Sequence, residues 1–171
     1  MPLHALADIV GNHREIAICC GAAATDVHRN LYHLADGAYI TIPAGASSYQ
    51  AISGLVQTCA DTPACREIRL HVAVDWDTLL HLSTGKETLR WPDLYLVLKD
   101  AGVKPEEMQP FRDALPADLF PWLYYGKRFD VLRKLCLHVK RKLDMRLAAH
   151  DVRTVCHLVG DDGSSIVASS L

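Results

Sequence analysis

The stretch LHVAVDWDTLLHLS, residues 70–83, changes its apolar rhythm halfway along. Read with the residues just before it, it alternates strictly. Ile68, Leu70, Val72, Val74 and Trp76 fall on one side, and Glu67, Arg69, His71 and Asp75 on the other. A two-residue period marks a strand with one covered face and one wet or lightly packed face. The alternation breaks at Asp75-Trp76-Asp77. A strand over 67–75 is therefore predicted, and it ends in two carboxylates.

Upstream, EIAICC (15–20) reads as a short buried strand and AYITIP (38–43) as a second. The small residues of GAAATD lie between them, with Thr25 as the expected N-cap of a helix. Val27, Leu31 and Leu34 would form the inner face of that helix, and Asp26, Arg29, Asn30 and His33 the outer one. AGASS leads into another helix over roughly 48–60, and Pro63 marks the loop after it. Residues 3–10 read as a short helix stopped by Gly11-Asn12. Strands that alternate with helices imply βαβ units and a mainly parallel sheet.

Downstream the period changes. WPDLYLVLKDAG places Pro92 near a helix start and Gly102 at its end. Two shorter proline-punctuated helical pieces follow. Residues 127–149 then form a long helix with Leu132, Leu135, Val139, Leu143 and Leu147 as its inner stripe. The tail, VRTVCHLVGDDGSSIVASSL, reads as strand, turn and strand. The expected fold is α/β: a mainly parallel sheet of four or five strands with flanking helices. A helical insertion at about 87–150 precedes a C-terminal hairpin, all within one domain spanning 1–171.

The bulk composition supports a packed core. The chain has 171 residues, half of them hydrophobic and 22% charged, which excludes a disordered chain. No apolar run approaches the roughly 20 residues that span a bilayer, so no membrane partner is expected. MPLHALADIVGN lacks the basic start and the apolar stretch of a secretory leader. The six cysteines show no zinc-type spacing. Cys59 and Cys65 could bridge across ADTPA, but reduced thiols in a cytoplasmic protein fit the pattern better.

Ligands of open α/β sheets bind beyond the carboxyl ends of the strands. Asp75 and Asp77 would sit at one such end. Asp161 and Asp162, after the apolar run TVCHLVG, would sit at another. Together they could gather oxygens around Mg²⁺, which is held by one or two carboxylates plus waters and substrate phosphate. Read as plain structure, the same residues are a helix cap at Asp75–Asp77 and a hairpin turn at Asp161-Asp162-Gly163.

AVDWDTLL resembles the first motif of haloacid-dehalogenase-like phosphohydrolases, and LVGDDG resembles their last acidic motif. The resemblance implies Asp75 as nucleophile, Asp77 as general acid/base, and Asp161 and Asp162 as further metal ligands. It is confined to these two stretches. The Asp-x-Asp strand comes third in this chain, where the family has it first, and a Ser/Thr-ended strand after LKDAGVK is missing.

Charge is unevenly spread. Residues 127–146 carry eight Lys/Arg against two Asp, a balance of +6 in a chain whose net charge is −2. Lys134, His138, Arg141 and Lys142 fall away from the leucine stripe, and such a face could neutralise nucleic-acid phosphates. Two functions are thus in play. The first is a Mg²⁺-dependent phosphoester hydrolase with an acidic strand-end site and a phosphorylated substrate. The second is a non-catalytic nucleic-acid- or protein-binding module that uses the basic helix 127–146.

Overall fold

In the computed structural model, residues 9, 11–45, 47–62 and 67–171 are described. The chain runs β1 (Glu15–Cys20), α1 (Gly21–Tyr32), β2 (Tyr39–Ile42), α2 (Ser48–Asp61), β3 (Arg69–Val74), α3 (Trp76–Thr84), α4 (Trp91–Asp100), α5 (Pro105–Met108), α6 (Pro116–Tyr125), α7 (Phe129–Arg146), β4 (Arg153–Val159) and β5 (Ile166–Ser169). One five-stranded sheet has the order β2-β1-β3-β4-β5. The first four strands are mutually parallel, and β5 returns antiparallel to β4. The α/β architecture, the mainly parallel sheet and the C-terminal hairpin are as predicted.

The switch from strand to helix at 74–76 is local chemistry. The Asp75 carboxylate accepts the Thr78 N–H at 2.8 Å and so caps α3. Gly85, with a φ of 73°, closes that helix in the left-handed conformation. Trp76 does not continue the strand. It opens α3, is buried, and donates its indole N–H to the Pro116 carbonyl at 2.9 Å.

The two faces of the sheet differ. Ile16, Ile18, Leu70, Val72, Val74, Cys156 and Leu158 share one aliphatic core with Ile52 and Val56 of α2, Leu79 and Leu80 of α3, and Leu98 of α4. Leu119 and Leu123 of α6 and the stripe Leu132, Leu135, Val139 and Leu143 of α7 join the same core. The expected insertion thus packs directly onto the sheet. On the opposite face a smaller cluster, Ala17, Cys19, Ala73 and Val159, packs with Ala24 of α1.

Three expectations are corrected. Thr25 is not a cap: α1 starts four residues earlier, because Gly21 (φ 82°) turns the chain straight out of β1. The Thr25 hydroxyl instead pairs with that of Thr41 on β2 at 2.8 Å. The inner face of α1 is Ala24, Thr25 and His28, while Leu31 is 58% exposed. The sheet beneath presents small and polar side chains, and the helix matches them with its own. Finally, His71 is 2% exposed, so the polar side of β3 is tightly covered at that position, while Glu67 and Arg69 at its start stay exposed.

Cys19, Cys20, Cys136 and Cys156 are buried thiols. Cys65, Pro63 and most of the expected helix over 3–10 lie outside the described residues. Among the described residues no helix is long and apolar enough to cross a membrane.

Candidate metal centre

The covered polar face of the sheet holds three histidines. His71 projects from β3 and His157 from β4, and the parallel register places His157 beside Ala73, one inward position further along. His28 comes down from α1, one turn before Tyr32. The three side chains are 0–2% exposed.

Their nitrogens converge. His28 Nε2 lies 2.9 Å from His71 Nδ1, and His71 Nδ1 lies 3.0 Å from His157 Nε2. The outward nitrogens each face an oxygen. His71 Nε2 is 2.9 Å from Glu15 Oε1, His28 Nδ1 is 3.4 Å from the Tyr39 hydroxyl, and His157 Nδ1 is 3.5 Å from the Tyr32 hydroxyl. The His71 and His157 rings stack with centroids 5.2 Å apart, and His28 stacks on Tyr32 at 4.5 Å.

Burial holds the imidazoles neutral. It is the largest cause pulling His28 down to about 4 and His157 to about 3, with repulsion from His71 adding to both. His71 is lowered by burial as well, against an upward pull from Glu15.

A proton count separates two readings of this geometry. A neutral His71 that gives its Nε2–H to Glu15 keeps a lone pair on Nδ1, and that one lone pair faces both partner nitrogens. One hydrogen bond satisfies it; a second donor has no lone pair left. A cation at the common point uses all three lone pairs at once and frees each outer N–H for its oxygen. Tetrahedral zinc with Zn–N bonds of about 2.0–2.1 Å separates its nitrogens by about 3.3 Å, a few tenths wider than the two separations at His71 Nδ1. Among the described residues, these three form the group of His, Cys, Asp and Glu side chains whose ligand atoms all lie within 4.8 Å of one another.

The predicted carboxylates are placed differently. β3 and β4 are neighbours, so both acidic strand ends lie on the same stretch of the carboxyl edge. Asp161 is raised by burial and then by the charges of Asp75 and Asp162, so Asp75 lies within electrostatic reach of it. Each of the other three has its own partner. Asp75 caps α3, Asp77 lies 3.6 Å from His81 Nε2, and Asp162 is lowered by the Ser164 hydroxyl and amide of its turn.

The basic residues of α7 divide as well. Lys142 Nζ donates to the Ser83 carbonyl at 2.5 Å, while Lys134, His138 and Arg141 line a cavity of about 480 Å³ against α4.

No protein family, curated protein or solved structure matches this chain. The reading of the site therefore rests on its geometry. The histidines stand 43 and 86 positions apart, so no short motif contains them. The available signal was a histidine set inside each of two apolar strand runs, LHVAV and TVCHLV.

Proposed function

We propose that this chain binds one divalent transition-metal ion, zinc foremost, through His28 Nε2, His71 Nδ1 and His157 Nε2. One observation carries the reading: three buried neutral imidazoles aim one nitrogen each at a common point, and each second nitrogen faces an oxygen. Metal-bound histidine typically donates its other N–H to a carboxylate, carbonyl or water, which fixes the ring and raises its basicity. Glu15 would play that part for His71, and Tyr39 and Tyr32 for the other two. Imidazole suits zinc, copper, nickel and iron, whereas magnesium prefers an all-oxygen shell. The burial of all three rings favours a structural ion that pins α1 to β3 and β4.

The strand-end carboxylates support a second reading, Mg²⁺-dependent phosphoester hydrolysis at the carboxyl edge. Its support is the nearness of the two strand ends, with the charge of Asp75 raising Asp161.

One set of titrations tests both. Chelated protein is titrated with Co²⁺, Zn²⁺ and Mg²⁺ by calorimetry, and phosphomonoester hydrolysis is assayed on the same samples. The metal-centre reading expects one Zn²⁺ or Co²⁺ per chain, a visible cobalt spectrum, and loss of both in His157→Ala. Stoichiometric binding that survives His157→Ala would sink it. Mg²⁺-dependent turnover abolished by Asp75→Asn would place the hydrolase reading first.

A further inference from the structure

The cations of α7 sort by what they touch. Arg133 donates to the main-chain oxygen of Leu171 at 2.7 Å, and Lys140 pairs with Asp144 one turn along. Lys142 reaches the Ser83 carbonyl, and Arg146 reaches that of Ser53 at 3.3 Å. Lys134 and Arg141 make no hydrogen bond or ion pair among the described residues. Both line the same cavity of about 480 Å³, with His138 between them. The spacing 134, 138, 141 places the three side chains on one helix face.

The rest of the cavity wall is Val97 and Asp100 of α4, Ala101 just past its end, and Leu137 of α7. The charges facing His138 come from every element packed there. Lys142 and Arg141 push its pKa down, following burial, while the Ser83 backbone and Asp100 pull it up. Asp100 is the one acid in the lining. Two fixed cations and one imidazole against a single carboxylate leave a positive surplus, and the remaining wall is apolar.

We infer that this cavity binds an organic phosphomonoester, its phosphate held by Lys134, Arg141 and His138 and its apolar part lying on Val97, Ala101 and Leu137. A phosphomonoester carries a charge of about −1.5 to −2 at neutral pH and three acceptor oxygens. Lys134 and Arg141 supply donors outright, and His138, whose neutral N–H is turned to the Ser83 backbone, supplies a second N–H once the bound phosphate favours its protonated form. The Arg141 guanidinium can take two of those oxygens side by side. A concave site with an apolar wall suits a small organic phosphate better than a duplex backbone, which favours an open basic face. The inference is independent of the histidine cluster.

The test is calorimetric titration with inorganic phosphate and with phenyl phosphate, alongside imidazole proton spectra. Phenyl phosphate should bind more tightly than inorganic phosphate and should move the His138 titration midpoint upward. Lys134→Gln and Arg141→Gln should each weaken binding roughly tenfold or more, the cost of one charge-assisted contact. Arg133→Gln, whose partner is Leu171, should bind as the parent does. Circular dichroism of each variant separates lost binding from lost fold. No binding of either probe at millimolar concentration would overturn the inference, as would equal binding by a folded Lys134→Gln/Arg141→Gln double variant. Salt-sensitive binding of an oligonucleotide, lost in that double variant and unaccompanied by phenyl phosphate binding, would overturn it in favour of a nucleic-acid face.

Discussion

The two sides of this sheet are held by different forces. On one side residues of six helices share one aliphatic core with Ile16, Ile18, Leu70, Val72 and Val74, and burial of apolar surface supplies the stability. On the other side one helix, α1, meets alanines, a threonine pair, two tyrosines and three histidines. Little apolar area is available there. Buried polar groups must instead satisfy one another closely, because each unmet group costs about 1–3 kcal/mol. The first side tolerates loose chemistry and demands volume. The second tolerates small volume and demands the right atoms.

The comparison can be broken at its strongest point. Leu135 is fully buried in the aliphatic core. Leu135→Ala should cost about 2–5 kcal/mol in chemical denaturation. The loss should be the same with Zn²⁺ present or chelated. A loss that depended on metal would mean the two faces are not energetically separate. Glu15→Gln tests the polar side at an intermediate scale. It keeps the shape and removes the charge beside His71, so Zn²⁺ affinity should fall about 10–100-fold with little change in the chelated protein's stability. Unchanged affinity would remove Glu15 from the arrangement while leaving the three histidines in place. The smallest effect belongs to the outer face of α1. Leu31→Ser, at a residue 58% exposed, should shift stability by no more than about 0.5 kcal/mol. A core-sized loss would restore the leucine stripe as the helix's inner face.

That last residue shows how far the sequence could be read. Where apolar burial decides the structure, period and element agree: the β3 alternation predicted 67–75 and the strand is Arg69–Val74, and the α7 leucine stripe lies in the core as expected. Where polar contacts decide it, periodicity pointed the wrong way. Val27 and Leu31 make the more hydrophobic stripe of α1, yet His28 and Thr25 turn inward because the sheet offers them partners across the chain; Leu34, just beyond the helix, does pack on the small cluster of that face. His71 was placed on the correct face of β3, but the cover over that face comes from a helix more than 35 positions earlier. Asp75 and Asp77 stand out because only Trp76 separates them. The three histidines do not, because only the folded sheet brings them together.

Gly21 follows β1 with no intervening loop, and α1 begins on it. A side chain there would have to adopt a φ of 82° and would meet Ala44 at 3.3 Å, so the position is reserved for glycine. The joint fixes the angle at which α1 leaves β1, and a short connection over 33–38 ties its other end to β2. With few apolar anchors beneath it, α1 belongs at the low end of the range of local opening free energies. Lifting it would uncover His28, His71 and His157 together. For an ion held there, no channel is needed: its rates of entry and escape would become the rates at which the helix lifts from the sheet and returns. Amide hydrogen exchange along α1 would then keep time with metal release, while α7, locked into the aliphatic side, exchanges on its own slower clock.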